Sequence, residues 1–218
     1  GVLSIQTLIT NVTGHFAYFA EEIMKRDYAA AMTFFVFIIF FLFGAFISNF
    51  LSELVSKKHP NLHHVIPISI EITILIGVAI FGVQTELGSN EGKWVASSML
   101  FAMGMQNALV TKISKSTVRT THLTGLFTDL GIELSQLFFK KKPEERKRLK
   151  KSIYLRLSII AFFFIGCISG GFIYNALQLK TLFVAATFLL IALLYDYIRL
   201  SFFVIKRKAI FKKAILNK

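Results

Sequence analysis

Hydrophobic positions in this chain come in long unbroken runs, without the alternation of a half-buried strand or the one-sided stripe of a soluble helix. Five runs meet the length rule for a transmembrane helix, about 20 mainly apolar residues. They are Phe34–Leu54, His64–Val83, Trp94–Val110, Ile153–Leu177 and Thr181–Ile198. Short polar connections separate them, and none has the form of a cleavable signal peptide. The pattern predicts an all-α, polytopic helical membrane protein. One stretch does not fit a simple series of spans: residues 118–133, VRTTHLTGLFTDLGIE, are too polar to cross a bilayer yet lie between two expected spans.

Composition agrees with the pattern. Of 218 residues, 55% are hydrophobic, 24 are Phe and only 17% are charged, against about 25% charged in a typical soluble domain. Mean hydropathy is +0.63. The formal charge of +13 would suit a nucleic-acid binder, but its placement argues otherwise. Most of the 25 Lys and Arg residues fall in Lys57–Lys58, Lys112–Arg119, the run KKKPEERKRLKK at 140–151 and the tail from Arg199. The connections at 1–33, 84–93 and 176–180 are near neutral or slightly acidic, which is the positive-inside arrangement. No aromatic-basic interleaving accompanies the charge, so no nucleic-acid partner is expected. The lone Cys167 excludes an intramolecular disulfide and a Cys-based metal cluster.

The charge rule threads the chain. Residues 34–54 run inward, 64–83 outward, 94–110 inward, 153–177 outward and 181–198 inward, with a cytoplasmic C-terminus. Both basic segments flanking the polar stretch belong on the cytoplasmic side, so that stretch dips in and returns or lies along the surface. Broken backbone inside a bilayer is tolerated only where protein or a wet cavity supplies hydrogen bonds.

The chain also repeats itself. TNVTGHFAYFAEEI (10–23) aligns without gaps to THLTGLFTDLGIEL (121–134), with Thr10, Thr13, Gly14, Phe16 and Glu22 recurring as Thr121, Thr124, Gly125, Phe127 and Glu133. FFLFGAFISNF (40–50) likewise resembles FFFIGCISGGF (162–172). Each half then consists of a span, a Thr-Gly segment and two more spans, and the first half lacks its leading span. The expectation is a six-span native protein of two inverted three-span repeats, each with a broken or re-entrant Thr-Gly segment, of which this chain lacks the first span. The boundaries are 1–92 for the first repeat, 93–205 for the second and 206–218 for a basic cytoplasmic tail on the anionic inner leaflet.

FAMGMQNALVTKISKSTVRTTHLTGLFTDLGIEL (101–134) resembles the signature region of the YoaK-type bacterial membrane proteins, the family called domain of unknown function 1275. The matching positions are Gly104, Gln106, Asn107, Ala108, Arg119, Thr120, Thr121, Thr124, Gly125 and Leu130–Gly131. Asn11-Val12-Thr13-Gly14-His15 is similar to the family's Met-Thr-Gly-Asn element, with His15 where the family usually has Asn. The resemblance implies six spans and a bacterial inner (cytoplasmic) membrane, and it implies no particular activity.

Several polar residues stand out. Thr-Gly followed by a Leu126/Leu130/Leu134/Leu137 stripe reads as the start of a helix. A helix N-terminus inside a membrane presents free N–H groups and partial positive charge, reinforced here by Arg119 and His122. The candidate solute-binding set is Asn11, Thr13, Gly14, Gln106, Asn107, Arg119, Thr121, His122, Thr124 and Gly125. Simple capping and packing of two broken helices is the competing reading. Glu71, seven residues into an apolar run and four after Pro67, is the candidate coupling carboxylate, with Asp129 second; a carboxylate at that depth costs about 2.5–3.5 kcal/mol unless it faces protein or water. Gly44, Ser48, Gly166, Gly170 and Gly171 read as helix-packing positions. His59, His63 and His64 lack matching ligands, so no metal or other cofactor is expected. No HExxH or Ser/His arrangement appears, so no enzyme is expected. The readings left open are a small-solute transporter or channel, for a polar or anionic solute, and a non-transporting membrane subunit or scaffold. The expected partners are the lipid bilayer and either a second copy or another membrane subunit.

Overall fold

The computed structural model describes residues 11–58, 62–82, 90–113, 123–139 and 142–216, with side chains to Arg199. Every element among the described residues is helical. In order these are α1 (Val12–Met24), α2 (Tyr28–Ser56), α3 (Val65–Phe81), α4 (Asn90–Ile113), α5 (Leu123–Phe139), α6 (Pro143–Leu177), a 3₁₀ turn (Gln178–Lys180) and α7 (Thr181–Leu216).

Local chemistry sets the joint between α1 and α2. The Asp27 carboxylate accepts the Ala30 N–H at 3.0 Å and caps α2. Arg26 turns the chain with a positive φ of 63°, in the left-handed position that glycine usually fills after a helix. Its N–H and that of Asp27 donate to Ile23 and Glu22 carbonyls at 3.0 and 2.9 Å. Hydrogen bonds to Glu21 and Glu22 hold the Lys25 ammonium above the ordinary lysine range.

The heart of the molecule is the packing of α2 on α4. Gly44 lies against the backbone of Phe101, and Gly104 against the backbone of Phe41 and Ala45. Toward the other end, Lys112 Nζ meets Glu53 Oε1 at 2.7 Å. Pairs keep step along both chains, so α2 and α4 run parallel. The intervening α3 runs antiparallel to them and buries Pro67, Glu71, Leu75, Val78 and Ala79. Pro67 is its third residue, where no ladder hydrogen bond is lost, so α3 runs without a break from Val65 to Phe81. On its other side α3 packs on α7: His64 Nε2 meets Asp196 Oδ2 at 2.8 Å, and Gly82 approaches Leu179. Phe37, Leu75, Val78, Ala96, Met99, Leu100 and Ala186 form the apolar cluster joining these four helices.

Among the described residues, two continuous helical stretches are long and apolar enough to cross a membrane, Tyr28–Ser56 and Pro143–Arg199, the second including the fold-back at Gln178–Lys180. The 17-residue α3 is shorter. The expected span over Trp94–Val110 forms α4, which is long but less apolar because it faces protein. It buries Ala96, Ser97, Met99, Leu100, Ala102, Gly104, Met105 and Leu109, and contact with other helices replaces contact with lipid tails. By contrast the most apolar window of Pro143–Arg199 has 0% of its residues buried, as suits a surface solvated by hydrocarbon.

Candidate functional site

Both Thr-Gly segments are the opening turns of short helices. α1 starts at Val12 and α5 at Leu123, equivalent positions in the internal alignment. In each, Thr (Thr13 or Thr124) is the second helical residue and exposed, Gly (Gly14 or Gly125) is the third, and the fourth points inward: His15 in α1 and Leu126 in α5 are buried. The glycine lies inside the helix and makes no bend. Asn11, rather than a threonine, caps α1, its Oδ1 accepting the Gly14 N–H at 3.0 Å. Leu126 and Leu130 are the buried members of the expected leucine stripe, while Leu134 is exposed.

The two helices differ in what they lean on. Ring contacts fix α1 against α2: His15 with Phe37 at 5.5 Å, Tyr18 with Phe34 at 5.3 Å and Phe19 with Phe35 at 5.9 Å. Continuing that antiparallel register one turn back sets Asn11 level with Phe41, halfway along α2. Polar contacts fix α5 against α6. Arg156 reaches Asp129 at 2.9 Å and Glu133 at 3.0 Å, and the Ser152 hydroxyl donates to Glu133 at 2.7 Å. The same extrapolation sets Leu123 level with Phe162, well inside the apolar part of α6. At 13 residues α1 is about 20 Å long, too short to cross a hydrocarbon core of about 30 Å. Its C-terminal end points toward the end of the bundle that holds Tyr28 and Asn90. The C-terminal end of α5 points the other way, toward the end that holds Ser56 and Lys112.

The candidate residues fall into separate groups. Asn11, Thr13 and Gly14 sit at the start of α1, and Thr124 and Gly125 at the start of α5; the two helices share at most a marginal direct contact. Gln106 and Asn107 are half-buried on α4, just past the Gly104 crossing. Arg119, Thr121 and His122 lie outside the described residues. Asp129 is half exposed and its charge is answered by Arg156. Glu71 is 4% exposed; no donor reaches its carboxyl among the described residues, and Arg156 is engaged elsewhere. The polar residues that sequence reasoning passed over are Ser48 and Ser52 on α2, read there as packing or not singled out. Both are fully buried with hydroxyls that have no partner among the described residues. Only the facing helix, remote in sequence, distinguishes them from ordinary small packing residues. An apolar cavity of about 220 Å³, lined by Leu62, His64, Val65, Leu193, Leu194 and Tyr197, lies beside the His64–Asp196 pair and touches none of the candidate residues.

Described residues that are helical throughout, with lipid-suited outer faces, define the class, a helical membrane protein. The family described as "Protein of unknown function (DUF1275)" matches residues 1–195, and the chain belongs to it. No curated protein and no solved structure matches it.

Proposed function

We propose that this protein is a multi-pass inner-membrane transporter or channel for a small polar or anionic solute, with its site between the two Thr-Gly helix starts. The observation that carries this reading is the pair of short helices whose N-termini lie at mid-length of their neighbouring spans and whose C-termini point to opposite ends. Such N-termini carry partial positive charge and free N–H groups, and they come from two halves of opposite direction, an arrangement common in secondary transporters. Thr13 and Thr124 are exposed beside them and offer hydroxyls. Arg119 and His122 add positive charge from the segment before α5, and Gln106 and Asn107 line the approach from α4. Glu71 is the coupling carboxyl.

The test is thermal stability of the purified full-length protein against chloride, acetate, uracil and glutamate. A ligand at one hundred times its Kd adds about 2.7 kcal/mol. One of these probes is expected to stabilise the wild type and to lose its effect in Thr13→Val/Thr124→Val. No stabilisation, together with no uptake of the same probes into proteoliposomes, refutes the reading. A second reading, a non-transporting membrane subunit, is supported by α6: a Cβ at Gly166 or Gly170 would meet nothing within 4 Å, leaving a face notched for another helix.

A further inference from the structure

Serine and threonine hydroxyls in these helices have a default partner, the carbonyl one turn back. Ser69, Thr73, Ser97, Thr128, Ser158, Ser169 and Thr187 all donate to it, at 2.7–2.9 Å. Ser48 and Ser52 do not, although each is 0% exposed. They follow Gly44 at four-residue steps on the stripe of α2 that meets α4. Glu71 continues the Leu75–Val78 stripe of α3 that packs in the same core. Because α2 ends at Ser56 and α3 begins at Val65, the antiparallel return brings Glu71 level with residue 50, between the two serines.

Two buried hydroxyls without a partner, one turn apart, beside the depth of a buried carboxyl are a costly arrangement among the described residues. Each unsatisfied group costs about 1–3 kcal/mol, and buried polar groups in folded proteins are almost always hydrogen-bonded. Enclosed water is the usual partner, making about three hydrogen bonds per molecule. Among the described residues no fixed charge is paired with Glu71. On the elements packed against α3, toward the Ser56 end, Glu53 on α2 pairs with Lys112 on α4 and Asp196 on α7 pairs with His64, while Lys57 and Lys58 lie exposed past the end of α2. Arg199 follows Asp196 on α7, beyond the depth of Glu71. Asp27, Glu91, Lys93 and Lys180 lie at the far end.

We propose that Glu71, Ser48 and Ser52 enclose a hydrated proton-binding site. On release the carboxyl O–H bond breaks, its electron pair stays on the carboxylate, and the proton forms a new O–H bond on the adjacent water; uptake reverses this. The two serine hydroxyls hold that water and donate to the carboxylate. As the coupling step of a transporter the site rests on the reading above, whereas as a proton site it stands without any solute.

Infrared difference spectroscopy of the full-length protein in lipid, stepped in pH with no solute present, tests this apart from transport. The wild type is expected to give a protonated-carboxyl C=O band that Glu71→Gln removes. In Ser48→Ala/Ser52→Ala the band moves to higher frequency, because the carboxyl loses hydrogen bonds. A water O–H band that shifts in H₂¹⁸O is expected in the wild type, a measurement that needs no variant, and is lost in the double serine variant. A carboxyl band that persists in Glu71→Gln overturns the proposal, and so does a band that stays in place when both serines are removed. Absence of an ¹⁸O-sensitive water band in the wild type overturns it as well. A Glu71 signal that follows sodium instead of pH would replace the proton by a monovalent cation and also overturn it.

Discussion

The Gly44–Gly104 crossing supports the sharpest prediction, because the same substitution should act in opposite directions at two glycines that the internal repeat makes equivalent. A Cβ at Gly44 would fall inside contact distance of the Phe101 carbonyl oxygen and 2.8 Å from its carbon. Carbon atoms prefer about 3.5–4.0 Å, so α2 and α4 must separate by roughly 1 Å along their tightest contact. The obstacle is backbone, with no side chain that can swing aside. Overpacking of this kind costs about 1–3 kcal/mol, and the upper end applies because both partners are helix backbones. Gly166, the counterpart of Gly44 on α6, has nothing within 4 Å of its Cβ position. There Ala keeps its intrinsic helix advantage of up to about 1 kcal/mol. Trp94, the only Trp, reports on the interface through its ring contact with Phe40 at 6.2 Å. Its fluorescence in a melt should show Gly44→Ala and Gly104→Ala lowering Tm by roughly 6–12 °C, on a scaling of about 2–4 °C per kcal/mol, with Gly166→Ala unchanged or raised. Equal effects at Gly44 and Gly166 would refute the idea that one stripe is closed and the other open.

Other consequences follow from single contacts. Arg156→Ala leaves the part-buried Glu133 without its counter-charge and should loosen α5 by about 1–3 kcal/mol, read as faster hydrogen exchange confined to 123–139. Asn11→Ala removes the cap of α1 and should cost about 1 kcal/mol of helix stability, with the loss seen as exchange in 12–24 and none in α5. In a Cys167→Ser background, an impermeant maleimide added to intact cells should label Glu91→Cys at once and Lys58→Cys only after permeabilisation. Labelling of both from the same side would contradict the parallel run of α2 and α4. Arg26→Gly removes a left-handed strain of about 1–2 kcal/mol and should raise Tm, provided the Lys25–Glu21 and Lys25–Glu22 pairs are kept.

Membrane class, the two Thr-Gly helix starts and the start of α7 at Thr181 were legible in the sequence, since each depends on residues near one another in the chain. The basic run read as a connection before Ile153 instead belongs to α6 from Pro143, α2 begins at Tyr28 rather than Phe34, and α7 continues past Ile198 to Leu216. A run of apolar side chains long enough for a bilayer announces itself, as over 34–54. Thr-Gly at offset 111 marked two helix starts, and they begin at the equivalent residues Val12 and Leu123. Which residue caps α1 was not legible, because Asn and Thr compete for that role and only the Gly14 N–H, which donates to Asn11, decides between them. What tertiary structure alone decided is which stripe meets which. Nothing local tells Gly44 from Gly166, yet one lies against Phe101 and the other faces open space. Ser48 and Ser52 look like spacer residues until α4 covers them, and Asp129 looks like Glu71 until Arg156 reaches it. Contacts between residues some 60 apart depend on how helices pair. Pairing is settled by the fit of whole faces across the bundle, a property that no short window of sequence contains.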